Sequence, residues 1–176
     1  MRLTRALFVF TSLMAGSLMA KNEVQTYGYV EKITLIDKNM TLSAKLDTGA
    51  KSASLNASNI TEIEVNGRPY LRFTVSTKNS SQIFEGEYIG KVKIKVRANE
   101  TNPGAAATAP IKRPVVRLKV MLGNKTRDIR VNLTNRKRFL YPLLLGRDAI
   151  IEFGGSVNPA LTFTTTKAKS LNNNEK

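Results

Sequence analysis

The sequence predicts a mostly β domain with one short helix, and three observations support that prediction. Apolar and polar residues alternate with a period of two in nearly every segment, which is typical of half-buried antiparallel strands. Residues that favour tight turns separate these segments, and helix signals are scarce. We therefore expect a series of hairpins around a single hydrophobic core.

Residues 1–20 have the pattern of a secretory signal peptide. Arg2 and Arg5 precede the uncharged run ALFVFTSLMAGSLMA, which ends in small residues. Because this run is short for a membrane crossing, we expect cleavage after Ala20 and a periplasmic or secreted protein with no stable membrane insertion. Leu18 is bulkier than the residue usually found two places before that cleavage point, so an uncleaved anchor is the alternative.

Four segments show the clearest alternation and define predicted strands: MTLSAKL, KVKIKVR, VRLKVML and RDIRVNL. In each, the apolar residues share one face of the strand. In KVKIKVR, for example, Val92, Ile94 and Val96 are expected to be buried while the lysines and the arginine face solvent. Turn-forming Asp, Asn and Gly residues lie between the strands, at residues 37–39, 66–67 and 123–124.

The remaining segments complete the predicted domain, residues 21–164. The best helix candidate is RDAIIEF, which directly follows Gly146 and is bounded by two glycines. Residues 98–114 are rich in Ala, Thr, Pro and Gly and separate two strongly alternating strands, so we expect a mobile hairpin tip there. Residues 165–176 are polar without apolar periodicity and are expected to form a disordered tail.

Composition excludes several kinds of chemistry. The chain contains no His and no Cys, which removes the usual zinc ligands, disulfides and every nucleophile that relies on imidazole. Catalysis would have to use carboxylates, hydroxyls, amines or backbone groups, and we expect neither a metal nor a cofactor. The net charge is +15, of which the signal segment contributes two, which leaves +13 on the mature chain. Such a surplus attracts anionic partners or simply keeps the protein soluble.

Two short blocks are candidates for chemistry. In KLDTGAKSAS, Asp47 stands at a tight turn directly after an apolar strand. An aspartate before glycine is also ordinary turn chemistry, so a turn cap is the alternative. Far downstream, YPLLLGRDAII leads three leucines into Gly146, Arg147 and Asp148.

The two blocks together resemble the early and late motifs of retropepsin-type aspartic peptidases. The segment VVRLKVMLGNKTRDIRVNL resembles the strand-turn-strand between them, and residues 98–114 lie where those proteins carry a flap. The blocks AKLDTGAKSASLNA, KRPVVRLKVML, NLTNRKR and YPLLLGRDAI are similar to a bacterial retropepsin-like family formerly labelled ATP-dependent zinc proteases. This resemblance implies a closed β-barrel, the acid-protease half. The lack of His, Cys and a Gly-rich phosphate loop argues against the zinc and ATP of that label.

The resemblance also implies a catalytic role for Asp47, Thr48 and Gly49. Carboxylate-driven peptide hydrolysis needs two aspartates that share one proton. Because the chain has one Asp-Thr-Gly, the second aspartate must come from a second copy, and catalysis implies a homodimer. Thr48 would brace the paired loops, and Gly49 would allow the tight turn and a close approach to substrate.

By the same resemblance, Ala50, Lys51 and Ser52 would bind substrate, and Gly146, Arg147 and Asp148 would support the active loop from below. Retroviral relatives usually carry acidic residues where this chain has Lys51 and Ser52. We expect Lys51 and Arg147 to lie close together with Asp148 as their counter-charge, in a cationic cleft that favours acidic peptides. A solvated loop lysine is the alternative for Lys51.

A basic stripe is predicted on the two strands that flank residues 98–114. It could form an anion-attracting wall beside the cleft, although a solvent-facing side of a sheet is the simpler interpretation. Nucleic acid is not expected as the partner, because aromatic residues make up only 7% of the chain and do not alternate with the basic residues. The stripe consists of Lys91, Lys93, Lys95, Arg97, Arg117 and Lys119.

The main functional hypothesis is an exported aspartic endopeptidase that is active as a homodimer, with residues 98–114 closing over an extended peptide. The alternative is a non-catalytic module on the same fold that binds acidic peptides or envelope polymers. A third possibility, suggested by the family resemblance, is a processing factor that works beside a peptide ligase or a transglutaminase-like protein.

Overall fold

The computed structural model describes residues 24–94 and 110–165. This part of the chain forms ten strands, one α-helix and one 3-10 turn (Ile36–Lys38), and the helix α1 spans Arg147–Glu152. The strands are β1 (Gln25–Leu35), β2 (Met40–Leu46), β3 (Ala53–Asn56), β4 (Ser58–Val65), β5 (Arg68–Ser76), β6 (Ser81–Ile94), β7 (Ile111–Leu122), β8 (Lys125–Thr134), β9 (Leu143–Leu145) and β10 (Gly155–Thr162).

Six of these strands close into a barrel. The order is β1, β2, β9, β3, β8 and β7, and the ring closes where residues 33–35 of β1 pair with residues 120–122 of β7. Strands β6, β5 and β4 extend the sheet outward from β7, and β10 pairs in parallel with the first half of β1. The predicted fold class, a mostly β closed barrel with one short helix, is therefore confirmed.

The core follows from the period-two alternation. In β2, the four apolar side chains of one face, Met40, Leu42, Ala44 and Leu46, are all buried. The apolar faces of β7 and β8 are buried against them, as predicted. Val92 and Ile94 of β6 are only half-buried, because beyond Glu87 this strand pairs with β7 alone.

The predicted turns are confirmed. Asn66 and Gly67 both have positive φ, 51° and 73°, as a two-residue hairpin between twisted strands requires. Gly123 turns β7 into β8 with a φ of 63°. The turn at residues 37–39 is a 3-10 turn that ends at Asn39, whose φ is 49°. Helix α1 ends as expected, just before Gly154, whose φ is 59°.

The segment around the predicted flap needs one correction. Residues 98–114 were expected to form a hairpin tip, but residues 111–114 belong to β7 and pair with residues 91–94 of β6. The ladder continues because backbone pairing, rather than composition, sets where a strand begins. Residues 98–109, the signal segment and residues 166–176 lie outside the described residues. Within the described ranges, no helix is long and apolar enough to cross a membrane.

Candidate active site

Asp47 lies immediately after β2, at the end of a barrel strand. Its backbone N–H donates to the carbonyl of Leu145 at 2.9 Å, and the preceding residue, Leu46, pairs with the same Leu145 in β9. Because both neighbours are buried in the barrel, the position of the Asp47 backbone is fixed by the core.

The turn after Asp47 is closed by the aspartate itself. The N–H of Gly49 donates to Oδ1 of Asp47 at 3.0 Å, and the N–H of Ala50 donates to its carbonyl at 3.2 Å. Asp47 therefore does cap its turn, as the simpler interpretation of the sequence held. This role occupies Oδ1 and leaves Oδ2 directed elsewhere.

Lys45 contacts that second oxygen. Its Nζ lies 3.3 Å from Oδ2 of Asp47. Burial on its own would raise the pKa of Asp47, but the hydrogen bond and charge of Lys45, with the N–H groups of Gly49 and Ala50, hold that pKa below its ordinary value. Sequence reasoning assigned no role to Lys45, although residues i and i+2 of a strand lie on one face.

The residues of the late motif form hydrogen bonds to the turn. The N–H of Arg147 donates to the carbonyl of Ala50 at 2.8 Å, and that of Asp148 donates to Lys51 at 3.1 Å. The guanidinium of Arg147 reaches the carbonyl of Thr48 at 3.0 Å. Helix α1 and the Asp47 turn thus form one hydrogen-bonded unit.

The ion pair found at this site is not the predicted one, in which Asp148 was the counter-charge of Lys51 and Arg147. Asp148 meets Lys51 through the backbone, and its side chain forms no ion pair within the described residues. Asp148 is the second residue of α1, and its side chain is exposed to solvent. The ion pair of the site is formed by Lys45 and Asp47 instead.

Gly146 permits the close approach of α1 to the turn. A Cβ atom at this position would lie 2.7 Å from the carbonyl carbon and oxygen of Lys51 and from the carbonyl oxygen of Ser52. These are backbone atoms of the loop that follows Asp47, and they can move only if the loop moves. The glycine is required by space, since its φ of −84° suits any residue.

We expect Gly146→Ala to lower the free energy of unfolding by about 1 to 3 kcal/mol. We also expect it to reduce strongly the peptide cleavage hypothesised from the sequence. The added methyl group would displace Lys51 and, through it, the Asp47 turn. Gly67→Ala is the matched control. Gly67 lies at the tip of the β4–β5 hairpin, away from the Asp47 turn, and its φ is positive. An alanine there should cost about 1 kcal/mol through backbone strain alone. Urea unfolding and activity should be measured on both. Equal activity in the two variants would contradict the role of Gly146.

An open cavity of about 450 Å³ lies beside Asp47. The substrate residues predicted from the resemblance do not line it: Ala50 and Ser52 are half-buried, and Lys51 is exposed on the loop. The side chain of Ser52 lies 3.4 Å from the amide nitrogen of Asn132. The cavity is lined by Tyr29, Lys45, Leu46, Asp47, Thr48, Val157 and Pro159.

Arg136 is a second residue that the sequence analysis missed. It is 7% exposed, its Nε donates to the carbonyl of Tyr141 at 3.3 Å, and its guanidinium lies 4.4 Å from the ring centre of Phe139. Burial and the nearby Arg113 lower the pKa of Arg136, whereas Asp47 raises it. The block NLTNRKR was the available signal, but nothing in it indicated burial.

A second cavity, of about 540 Å³, has a purely basic charged lining. Arg136 contributes its buried side chain to this lining, and Lys137 follows it in the same loop. Lys32 lies on β1 and Lys78 between β5 and β6. Apolar side chains stand at its edge, where Phe139 and Leu140 are 50% and 84% exposed. The basic residues of this cavity are Lys32, Lys78, Arg136 and Lys137.

The basic stripe is only partly a free positive surface. Strands β6 and β7 pair as predicted, but Arg117 contacts Glu87 at 3.5 Å. Lys119 lies opposite Asp128 in the β7–β8 ladder. Lys91 and Lys93 are exposed, and Lys95 and Arg97 lie outside the described residues.

A family model and a solved structure each match most of this chain. The model of the RimB-like family, described as retropepsin-like aspartic endopeptidase RimB, matches residues 26–168. A crystal structure of a protein of unknown function (DUF785) from Legionella pneumophila is 68% identical, with a TM-score of 0.70, and the match covers 80% of this chain and 98% of that one.

Two curated relatives carry a different name. Each is called "Probable alpha-L-glutamate ligase", one from Shewanella pealeana (29% identical) and one from Shewanella halifaxensis (30% identical), over 113 residues. The match covers 62% of this chain and 23% of each relative. This chain thus matches less than a quarter of their length.

Within the described residues, no group of three or more Asp or Glu side chains could hold a metal ion.

Proposed function

The chain belongs to the RimB-like family of retropepsin-like aspartic endopeptidases, and from this premise we propose that two copies hydrolyse peptide bonds with one Asp47 each. The observation that supports this most directly is the placement of Asp47. Its backbone is fixed by the barrel, its Oδ1 is fixed by Gly49, and its side chain lines an open cavity. A carboxylate held this way is preorganised to act on a water molecule.

The proposed chemistry follows from two carboxylates at close range. Like charges a few ångströms apart cannot both ionise easily, so the pair keeps one shared proton. The ionised Asp47 takes a proton from water, and the protonated one donates to the carbonyl oxygen of the substrate. Because the sequence contains a single Asp-Thr-Gly, the active unit is a homodimer. Closure of residues 98–114 over the peptide stays a prediction.

We further propose that the substrates are acidic peptides, with glutamate side chains as the first choice. Support comes from the net charge of +15, the purely basic charged lining of the second cavity, and the two relatives named as glutamate ligases. Basic side chains in a cleft favour carboxylates and disfavour cationic peptides. Export to the periplasm or beyond stays a prediction from residues 1–20.

One observation favours the alternative, a non-catalytic peptide-binding module. Asp47 already has a cationic partner within a single chain, since Lys45 lies 3.3 Å from it. A carboxylate whose charge is already balanced within one chain does not need the Asp47 of a second copy as its partner. A binding module would keep the basic cavity and bind acidic peptides without cleaving them.

The discriminating experiment is cleavage of a mixed peptide library by the mature protein between pH 3 and 8, with the molar mass recorded in each buffer. A shared-proton pair predicts activity that peaks on the acid side and rises with the dimer fraction. Binding of acidic peptides by a folded monomer that cleaves none would favour the alternative.

For the acidic preference, we expect Lys137→Glu to raise KM for glutamate-rich peptides about 3-fold to 10-fold, because one attractive charge becomes repulsive. Cleavage of neutral peptides should change little. Arg130→Glu makes the same charge change on β8, away from the second cavity, and serves as the matched control. KM measured on both peptide classes checks this, and equal effects of the two variants would contradict it.

A further inference from the structure

We propose that Lys45 is a positioning residue, which holds the Asp47 carboxylate in place and sets the pH range in which it works. The inference rests on the proposed function, since that range matters only if Asp47 does chemistry. The contact behind it is direct. The Nζ of Lys45 lies 3.3 Å from Oδ2 of Asp47, and both residues line the 450 Å³ cavity.

The backbone of Lys45 is fixed from both sides. It pairs with Val30 on β1 and with Leu144 on β9, in the closed part of the barrel. Its side chain projects from the same face as Asp47, because the two residues are i and i+2 around the end of one strand. The ammonium group therefore reaches Asp47 from a rigid base rather than from a loop.

The two oxygens of Asp47 are held by different partners. Oδ1 accepts the N–H of Gly49, and Oδ2 contacts the ammonium of Lys45. With both oxygens engaged, rotation of the carboxylate about its last bond is restricted. Orientation of this kind is what a reacting carboxylate needs before substrate arrives.

Other charged groups near Asp47 are farther away or engaged elsewhere. The charge of Asp47 raises the pKa of Arg136, from the loop after β8, whereas Lys45 is the cation that lowers the pKa of Asp47. Arg147, from α1, directs its guanidinium at the carbonyl of Thr48. The strands β9 and β10 present apolar residues here, and Tyr29 of β1 is the remaining titratable group of the cavity lining. Lys45 is thus the cation in direct contact with Asp47 in the described part of the chain.

The contact with Lys45 shifts the pKa of Asp47 in one direction. A cation in contact with a carboxylate favours its ionised form and lowers its pKa, in agreement with the direction found for Asp47. In an aspartate pair, activity rises as the first proton leaves and falls as the second leaves. Lys45 lowers the pH of both steps, so its loss should move both sides of the pH profile upward.

The test compares Lys45→Met, Lys45→Arg and Lys38→Met in the full mature chain. Lys38 is an exposed lysine of the 3-10 turn and lines neither cavity, so its variant controls for the loss of one positive charge. The Lys38 side chain has no part in the proposed binding of substrate. The Asp47 carboxyl is titrated by carbon-13 NMR without substrate, and kcat/KM is measured across the same pH range.

We expect the Asp47 midpoint and both sides of the pH profile to rise by about 0.5 to 1 pH unit in Lys45→Met. Lys45→Arg should restore most of the wild-type profile, and Lys38→Met should leave it in place. An unchanged Asp47 midpoint in Lys45→Met would overturn the inference. The titration needs no turnover, so inactivity of every variant would count against the peptidase proposal while the midpoint still decides the role of Lys45.

Discussion

Asp47→Asn should lower kcat for peptide cleavage by more than about 1,000-fold. An asparagine can neither accept a proton from water nor share one with a second carboxylate. The fold should persist, because the amide oxygen can still accept the N–H of Gly49. The lost contact with Lys45 is partly exposed, at 46% and 29% of the two side chains, and is worth at most about 1 kcal/mol.

The matched control for this prediction is Asp128→Asn. Asp128 is an exposed aspartate on β8, opposite Lys119, and its replacement makes the same chemical change away from the cavity. Turnover and thermal unfolding of both variants are the measurements. Substantial cleavage by a folded Asp47→Asn protein would remove Asp47 from the mechanism.

The largest expected effect on stability is that of Glu31→Ala. Glu31 is completely buried, and its carboxylate accepts the N–H groups of Gly28 at 2.7 Å and Thr164 at 3.0 Å. It also accepts the N–H of Thr165 and both threonine hydroxyls. Removing this acceptor leaves one buried and four half-buried donors unpaired, so the free energy of unfolding should fall by about 3 to 5 kcal/mol.

Urea unfolding of the mature chain measures this loss. Glu85→Ala is the control, because Glu85 forms an exposed ion pair with Arg72 and should cost no more than about 1 kcal/mol. Similar losses of unfolding free energy in the two variants would show that the bonds from Thr164 and Thr165 to Glu31 add little stability.

Sequence reasoning predicted the parts of the fold that depend on local pattern. The buried face of β2 follows from alternation, and the turn at Asn66 and Gly67 follows from the positive φ that those residues tolerate. The helix after Gly146 was placed correctly because glycines mark both of its ends, although only Gly154 has a positive φ. Closure of the barrel was implied by the resemblance rather than by any single segment.

Burial of the charged residues could not be predicted in this way. By alternation, Glu31 should face solvent, because its neighbour Val30 is buried. It is buried because Thr164 and Thr165, more than 130 positions later, fold over it. Arg136 is similar, since its backbone N–H donates to the side chain of Asn56, 80 positions earlier. Contacts between distant segments leave no periodic trace in the sequence.

Subunit mixing tests the claim that one active site contains Asp47 from two copies. Equal amounts of wild-type and Asp47→Asn protein are unfolded and refolded together, and activity is compared with the same total amount of wild type. A shared pair predicts about one quarter of the wild-type activity, because only dimers with two intact aspartates work. About one half would show that each chain works alone and would contradict the claim.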